Sequence, residues 1–248
     1  MDAPKLRRVS TRLGELDCQV VEGLPEGKSP ELAVVLCHGF GAPAGDLVPM
    51  AAQMLAMHPP LAQRVRFILP GAPLSLEDMG MPTGRSWFPI PEAILRGQMR
   101  DWPAFAQGVP AGLPAARRAL MSVVSAVSTT MKLPYSRIVL GGFSQGGMVT
   151  TDVALRLEEC PAGLCILSGT LIAEPEWRQK AKARQGLPVF QGHGRYDPLL
   201  PFATAEHLRD TLVQEGLTVD FFPFDGQHTI DEEEQERMAA FLKARLGS

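Results

Sequence analysis

Short runs of apolar residues alternate along the chain with longer stretches in which apolar residues recur every three or four positions. The short runs predict β-strands, and we place these at residues 17–21, 32–37, 65–69, 137–143, 164–167, 188–191 and 219–222. The longer stretches predict amphipathic helices near residues 46–57, 113–131, 145–158, 202–215 and 231–245. Strands that alternate with helices in this way are typical of βαβ units.

Several predicted strands are apolar throughout, among them AVVL at 33–36 and LCIL at 164–167. Strands of this kind are buried on both faces, as in a parallel sheet that helices cover from each side. The pattern therefore predicts an α/β fold with a mostly parallel central sheet and helices on both faces. A chain of 248 residues that is 45% hydrophobic can bury one large core, and we expect a single domain over 1–248.

Residues 71–112 interrupt this alternation with an irregular, proline-rich segment that also holds two of the three tryptophans. Connections of this length tend to be lids or binding segments. The segment begins just after the carboxyl end of the strand at 65–69. Ligands of α/β proteins bind at the edge of the sheet where the strands have their carboxyl ends. We therefore expect residues 71–112 to be an excursion from the domain, close to the functional site.

Four glycines surround Ser144 in GGFSQGG, directly between a predicted strand and a predicted helix. In a nucleophile elbow, G-x-S-x-G, the serine occupies such a strained turn, and a Cβ at the flanking glycines would strike the strand or the helix. An incidental serine in a glycine-rich turn and a phosphate-binding loop are the alternatives. A phosphate loop requires a lysine or G-x-G-x-x-G spacing, which this stretch lacks. The order strand, elbow, helix predicts that Ser144 is a catalytic nucleophile.

A nucleophilic serine requires a histidine base and an acid that orients it, in the chain order Ser, Asp or Glu, His for this fold. His228 lies between the last predicted strand and the last helix, which is the position of the catalytic base in this fold. Asp197 follows the strand at 188–191 and is the candidate for the orienting acid. An Asp-Pro turn is the alternative role for Asp197. His193 is expected to have a structural role in its loop, and His207 to lie on a helix surface.

The tetrahedral intermediate of acyl transfer also needs two backbone donors. Gln145 follows the nucleophile, and the loop CHGFGAPAGD at 37–46 supplies the second donor, which we assign to Phe40. That loop also fits the dinucleotide pattern G-x-G-x-x-A. A dinucleotide site requires an acidic residue at the end of the next strand, but the strand at 65–69 runs into Pro70 and Gly71.

Five motifs in chain order resemble the phospholipase/carboxylesterase family of α/β-hydrolases, which includes the acyl-protein thioesterases. They are HGFG at 38–41, RSWF at 85–88, GGFSQGG around Ser144, HGRYDPLLP at 193–201 and GQH at 226–228. The resemblance implies an α/β-hydrolase fold with Ser144, Asp197 and His228 as the catalytic triad. It also implies Phe40 and Gln145 as oxyanion donors.

The sequence departs from the family pattern at two places near the expected substrate site. Phe40 stands where the family usually has leucine, and Pro89 follows RSWF where the family tends to have aspartate. These differences concern the acyl pocket, for which the apolar candidates are Trp87, Phe88, Leu199 and Leu200. A lining of this kind suits a short-chain ester or an acyl thioester.

The expected reaction is hydrolysis of a carboxylic ester or thioester through an acyl-enzyme, without a metal or an organic cofactor. Substrates would be small molecules or acylated proteins. A peptidase or a dienelactone-hydrolase-like enzyme on the same fold is the nearest alternative, although the latter favours cysteine as nucleophile. A non-catalytic binding module is the other, and such a module would usually have lost a triad member.

Charge and cysteine content narrow the partners further. The formal net charge is −3, and no basic block predicts binding to nucleic acid. No apolar run approaches the roughly 20 residues that span a bilayer, so we expect a cytoplasmic protein without an integral membrane segment.

The four cysteines have no metal-ligand spacing, and Cys165 is expected to be a buried thiol, not a disulfide partner of Cys160. The oligomeric state stays open, and a homodimer is compatible with the sequence.

Overall fold

The computed structural model describes residues 5–247, and ten strands lie within them. They span Arg7–Leu13 (β1), Leu16–Glu22 (β2), Leu32–Cys37 (β3), Val65–Pro70 (β4), Leu74–Leu76 (β5), Met81–Ser86 (β6), Ile138–Phe143 (β7), Gly163–Leu167 (β8), Pro188–Gly194 (β9) and Thr218–Phe224 (β10). Eight of them form one sheet in the order β1-β2-β4-β3-β7-β8-β9-β10. From β4 to β10 the neighbouring strands are parallel, and only β1 and β2 run antiparallel to their neighbours.

Helices cover both faces of this sheet, as the apolar strands predicted. They span Val48–Met57 (α1), Pro59–Ala62 (α2), Glu92–Leu95 (α3), Trp102–Gln107 (α4), Leu113–Met131 (α5), Gln145–Ala154 (α6), Glu174–Ala181 (α7), Phe202–Gln214 (α8) and Glu232–Leu246 (α9). Successive residues of β3 point to opposite faces: Val35 packs in the core formed with α5 and α6, and Val34 in the core formed with α1 and α9. Within residues 5–247, no helix has the length and apolarity needed to cross a membrane.

The strand β1 and the helix α7 were not predicted from the hydrophobic pattern. β1, with sequence RRVSTRL, is an edge strand whose residues are mostly exposed, so it shows no apolar run. Backbone pairing with β2 holds it in place, Val9 lying opposite Val20. The helix α7 has the largely polar sequence EPEWRQKA, and its buried residues are Glu174, Trp177 and Ala181.

The excursion at 71–112 contains more regular structure than expected: the β5–β6 hairpin and the short helices α3 and α4. It contacts loops that follow two central strands. The Gly41 N–H donates to the Arg85 carbonyl at 2.9 Å, beyond the end of β3, and the Ala173 N–H donates to the Gly108 carbonyl at 2.9 Å, beyond the end of β8. The excursion therefore lies against the carboxyl edge of the sheet.

Candidate active site

Ser144 occupies a sharp turn between β7, which ends at Phe143, and α6, which begins at Gln145. Its backbone has φ 53° and ψ −118°, a conformation that non-glycine residues seldom adopt. The Ser144 N–H donates to the Leu167 carbonyl of β8 at 2.8 Å. This geometry is that of the predicted elbow, and it raises the serine side chain at the amino terminus of α6.

The flanking glycines are required by close approach of the backbone. A Cβ on Gly142 would lie 2.3 Å from the carbonyl carbon of Gly146, and a Cβ on Gly146 would lie 2.1 Å from the carbonyl oxygen of Cys37. Both contacts are with backbone atoms, which cannot rotate away as a side chain could. The turn therefore forms only because no side chain separates the new helix from β3 and β7.

Asp197 and His228 come together from the loops that follow β9 and β10. His228 Nδ1 lies 2.6 Å from Asp197 Oδ2, and the other carboxylate oxygen accepts the N–H groups of Leu199 and Leu200 at 2.8 and 2.9 Å. The Asp197 side chain is fully buried, whereas 14% of the His228 side chain is exposed. An imidazole held in this way presents its Nε2 edge away from the aspartate.

Burial alone would raise the pKa of Asp197, because it penalises the charged carboxylate. Hydrogen bonds from His193 and His228, the charge of His228 and the Leu200 N–H outweigh that effect, and the pKa lies well below its usual range. Asp197 is therefore ionised throughout the physiological pH range, as an acid that orients a histidine must be.

The imidazole of His228 lies beside the elbow, with its ring centroid 4.8 Å from that of Phe143, the residue before Ser144. Within residues 5–247 the Ser144 hydroxyl makes no hydrogen bond. Bonds between a nucleophile and its base are often long in unliganded enzymes and shorten when substrate binds. The structure thus places Ser144, Asp197 and His228 at one edge of the sheet. The hydrogen bond between His228 and Asp197 is formed, and the one between Ser144 and His228 is not.

Of the other histidines and acids near these motifs, His193 contacts Asp197, whereas His207 and Asp225 pair with other residues. His193 is completely buried beneath Asp197, with Nε2 2.8 Å from the Leu200 carbonyl oxygen and 3.3 Å from the carboxylate. His207 is partly exposed on α8 and lies 3.4 Å from the Glu174 carboxylate. Asp225 pairs with Arg195 at 3.4 Å.

Two backbone donors flank the elbow. Within the described part of the chain, the N–H groups of Phe40 and Gln145 form no backbone hydrogen bond outside the regular elements, and no side chain accepts from either of them. The next two N–H groups along the loop are engaged, since Gly41 donates to the Arg85 carbonyl and Ala42 donates to the Gly39 carbonyl. Free donors at these two positions are what an oxyanion site requires.

Three of the four residues expected to line the acyl site are in the interior. Trp87 and Phe88 are each 1% exposed and Leu200 is 2% exposed, so only Leu199 among the four is partly open to solvent. The Trp87 indole N–H donates to the His38 carbonyl oxygen at 2.9 Å. The side chains of Trp87 and Phe88 therefore pack in the core, and the assignment of these residues to a pocket wall stays a prediction.

Two apolar cavities lie on either side of α4. One, of about 470 Å³, is lined only by residues of the excursion, namely 89–91, 104–105 and 108–111. The other, of about 270 Å³, lies between α4, the loop after β8 and the start of α8. Its lining is Trp102, Pro103, Ala106, Thr170, Leu171, Pro201, Ala203, Thr204 and His207. Sequence reasoning missed the residues after β8 because nothing in ILSGTLI marks a binding segment.

The cysteines are free thiols, and Cys165 is buried in β8 as expected. Burial raises the pKa of Cys37 far above its usual value, so this thiol next to the oxyanion loop stays protonated. Within residues 5–247, no three histidine, cysteine or acidic side chains are grouped so as to hold a metal ion.

Glu234, in the first turn of α9, is a buried acid that the sequence did not single out. Its Oε2 accepts the Asp231 N–H at 3.2 Å in a capping box, and its side chain is fully buried against Gly192 of β9. Burial raises its pKa from 4.5 to about 8. The carboxyl is thus largely neutral at pH 7, and it anchors the helix that follows the His228 loop.

This raised pKa predicts a pH-dependent stability. Between pH 4.5 and about 8 the unfolded chain ionises Glu234 while the folded protein keeps it protonated, so the free energy of unfolding falls as pH rises. Glu234→Gln should flatten that slope in urea denaturation measured at pH 5, 6, 7 and 8. Glu233→Gln, at an exposed neighbour, should leave it unchanged. Equal slopes in Glu234→Gln and wild type would contradict the assignment.

A mostly parallel eight-stranded sheet with helices on both faces and a serine elbow after β7 defines an α/β-hydrolase fold. The model of the phospholipase/carboxylesterase family matches residues 17–246, and the chain belongs to that family. Acyl-protein thioesterase 1 of Mycosarcoma maydis is 30% identical over 232 residues, which cover 88% of this chain and 92% of that protein. The predicted family and fold are confirmed.

Solved structures agree on the fold. Esterase PE8 superposes with a TM-score of 0.74 at 24% identity, over 97% of this chain and 99% of its own. Arabidopsis thaliana SOBER1 superposes with a TM-score of 0.72 at 19% identity, over 87% of this chain and 99% of its own.

Proposed function

We propose that the protein is a serine hydrolase that cleaves carboxylic esters or thioesters through an acyl-enzyme. The observation that carries the proposal is the strained Ser144 elbow beside the His228–Asp197 pair, whose two side chains are 2.6 Å apart. Family membership supports the same chemistry. The acyl-protein thioesterase among the relatives makes an S-acylated protein a candidate substrate beside small esters.

In the proposed mechanism, Asp197 holds the imidazole with its proton on Nδ1, which leaves Nε2 free to act as a base. His228 takes the Ser144 hydroxyl proton as the oxygen attacks the acyl carbonyl, and the Phe40 and Gln145 N–H groups stabilise the oxyanion. His228 then returns the proton to the leaving alcohol or thiol. Water, deprotonated by the same histidine, attacks the acyl-enzyme, and release of the carboxylic acid restores Ser144.

A direct test combines a substrate panel with active-site labelling. The panel holds p-nitrophenyl esters of graded chain length, acyl-CoA and an S-acylated peptide, each assayed for initial rate. A fluorophosphonate probe should modify Ser144, as identified by peptide mass spectrometry. Labelling at another serine, together with turnover of every class at the buffer rate, would reject the proposal.

We further propose that the acyl chain occupies the 270 Å³ cavity beside α4. Two segments that contact the triad border it. Leu167, whose carbonyl accepts the Ser144 N–H, ends β8 three residues before Thr170, and Leu200, whose N–H donates to Asp197, precedes Pro201. The larger 470 Å³ cavity has no lining residue from either loop.

A bulky residue in that cavity should shorten the preferred acyl chain. Ala203 is exposed at the mouth of the cavity, so Ala203→Trp can be accommodated without disturbing the core. We expect kcat/KM for p-nitrophenyl octanoate to fall by about tenfold or more relative to p-nitrophenyl acetate, since a blocked chain loses its apolar contacts. The control is Ala104→Trp, an exposed alanine in the other cavity. A changed chain-length profile in Ala104→Trp alone would place the acyl chain there.

A further inference from the structure

The segment RSWF at residues 85–88, here called the bridging segment, is bonded at one end to the loop that carries Phe40. The Gly41 N–H donates to the Arg85 carbonyl at 2.9 Å, and the Arg85 N–H donates to the Ala42 carbonyl at 3.1 Å. The two residues directly after Phe40 thus form a short backbone ladder with the end of β6. Such a ladder fixes the height and direction of the loop.

At its other end, the bridging segment is held by the side chain of Gln145, the residue after the nucleophile. The Trp87 N–H donates to Gln145 Oε1 at 2.9 Å, and Gln145 Nε2 donates to the Phe88 carbonyl at 2.6 Å. Gln145 is completely buried. A buried amide whose donor and acceptor are both paired has one stable orientation. Rotation would leave two buried polar groups without hydrogen-bond partners.

A third contact closes the arrangement. The Trp87 indole N–H donates to the carbonyl of His38, two residues before Phe40, at 2.9 Å. The His38 ring is also engaged on both sides, since Nε2 accepts the Ala72 N–H at 3.1 Å and Nδ1 lies 2.8 Å from the Gly39 carbonyl oxygen. Trp87 therefore holds the loop just before Phe40, and Arg85 holds it just after Phe40.

We propose that the bridging segment is a positioning element that fixes the Phe40 and Gln145 N–H groups relative to each other, with Trp87 and the Gln145 side chain as its positioning residues. The inference rests on the proposed function, which assigns those two N–H groups to the oxyanion. Its physical basis is that an oxyanion site stabilises the transition state only when its donors are held in place beforehand. One donor lies on a loop and the other on a helix, and the bridging segment is hydrogen-bonded to both, so it restrains their separation.

The burial of the bridging segment supports this role over that of a substrate wall. Ser86, Trp87 and Phe88 are each 1% exposed, and neither apolar cavity beside α4 includes any of them in its lining. Their polar atoms are directed at Gln145 and His38. A residue that touched substrate would instead present an open face.

The test removes one hydrogen bond while it keeps an aromatic ring. Trp87→Phe deletes the indole N–H that His38 accepts, and we expect kcat for p-nitrophenyl acetate to fall by about 10- to 100-fold with KM changed by less than threefold. Affinity for an aliphatic trifluoromethyl ketone should weaken by a similar factor. In that adduct the Ser144 oxygen bonds to the ketone carbon and the ketone oxygen becomes the oxyanion, so it reports donor geometry directly.

Trp177→Phe is the matched control. Trp177 is also completely buried, and its indole N–H donates to Asp152 at 2.9 Å, outside the oxyanion loop. The control loses the same kind of bond at the same burial, and we expect kcat and inhibitor affinity within about twofold of wild type. Thermal melts of both variants measure the stability loss that the two changes share.

Gln145→Met provides a second variant that removes the amide but keeps the length of the side chain. It should reproduce the fall in kcat and in inhibitor affinity, and it replaces Trp87→Phe if that protein does not fold. The positioning role is overturned if a folded variant matches Trp177→Phe in both readouts, if only KM changes, or if neither variant folds while Trp177→Phe does. Failure of the proposed function is distinguishable, because wild type itself would then show neither turnover nor inhibitor binding.

Discussion

Ser144→Ala is expected to abolish hydrolysis of every ester and thioester substrate, with kcat reduced by at least about 10³-fold. The substitution removes the only atom that could attack the acyl carbonyl, and what remains is binding and the oxyanion donors. The hydroxyl makes no hydrogen bond within residues 5–247, so its loss should change the free energy of unfolding by less than about 1 kcal/mol. Initial rates and thermal melts measure the two effects separately.

Ser168→Ala is a matched control for this experiment. Ser168 also follows a parallel strand with a positive φ, 49°, and its hydroxyl forms a long 3.3 Å bond with the Thr229 carbonyl. It should retain kcat within about fivefold and remain reactive towards a fluorophosphonate. Turnover of Ser144→Ala comparable to that of wild type would show that another group is the nucleophile.

His228→Ala should cost on the order of 10³-fold or more in kcat, because it removes the group proposed to accept the Ser144 proton. The structure makes His193→Ala the informative comparison, since both imidazoles contact the same Asp197 oxygen, at 2.6 Å for His228 and 3.3 Å for His193. His193 is completely buried and its Nε2 is directed at the Leu200 carbonyl. We expect His193→Ala to lower stability more than it lowers kcat per folded molecule.

Far-ultraviolet circular dichroism and urea denaturation give the folded fraction by which each rate is divided. His58→Ala, at the end of α1 and outside both cavities beside α4, should keep kcat per folded molecule within about twofold. If His193→Ala, corrected for folded protein, were the more damaging of the two variants, the base would be His193 and the predicted order of the triad would be incorrect.

Local sequence predicted the central strands and most of the long helices because their side chains are buried in a periodic way. β3, with sequence LAVVLC, is buried at every position, and α5 buries one face along its length. The elbow was predictable for a similar reason, since the backbone contact between Gly142 and Gly146 permits no side chain at either residue. Edge strand β1 and helix α7 have few buried side chains, so the pattern that marks an element was missing from them.

The sequence by itself determined the fold class, the family, the elbow serine and the candidates for acid and base, because each depends on residue types at fixed local spacing. Only the tertiary structure decided which groups meet across the chain: that Asp197 receives both His193 and His228, and that Glu234 is buried against Gly192. It also showed that Trp87 is buried in the core, where its indole N–H donates to the His38 carbonyl. An apolar side chain has the same appearance in sequence whether it faces a ligand or the protein interior, and only packing between distant segments distinguishes the two.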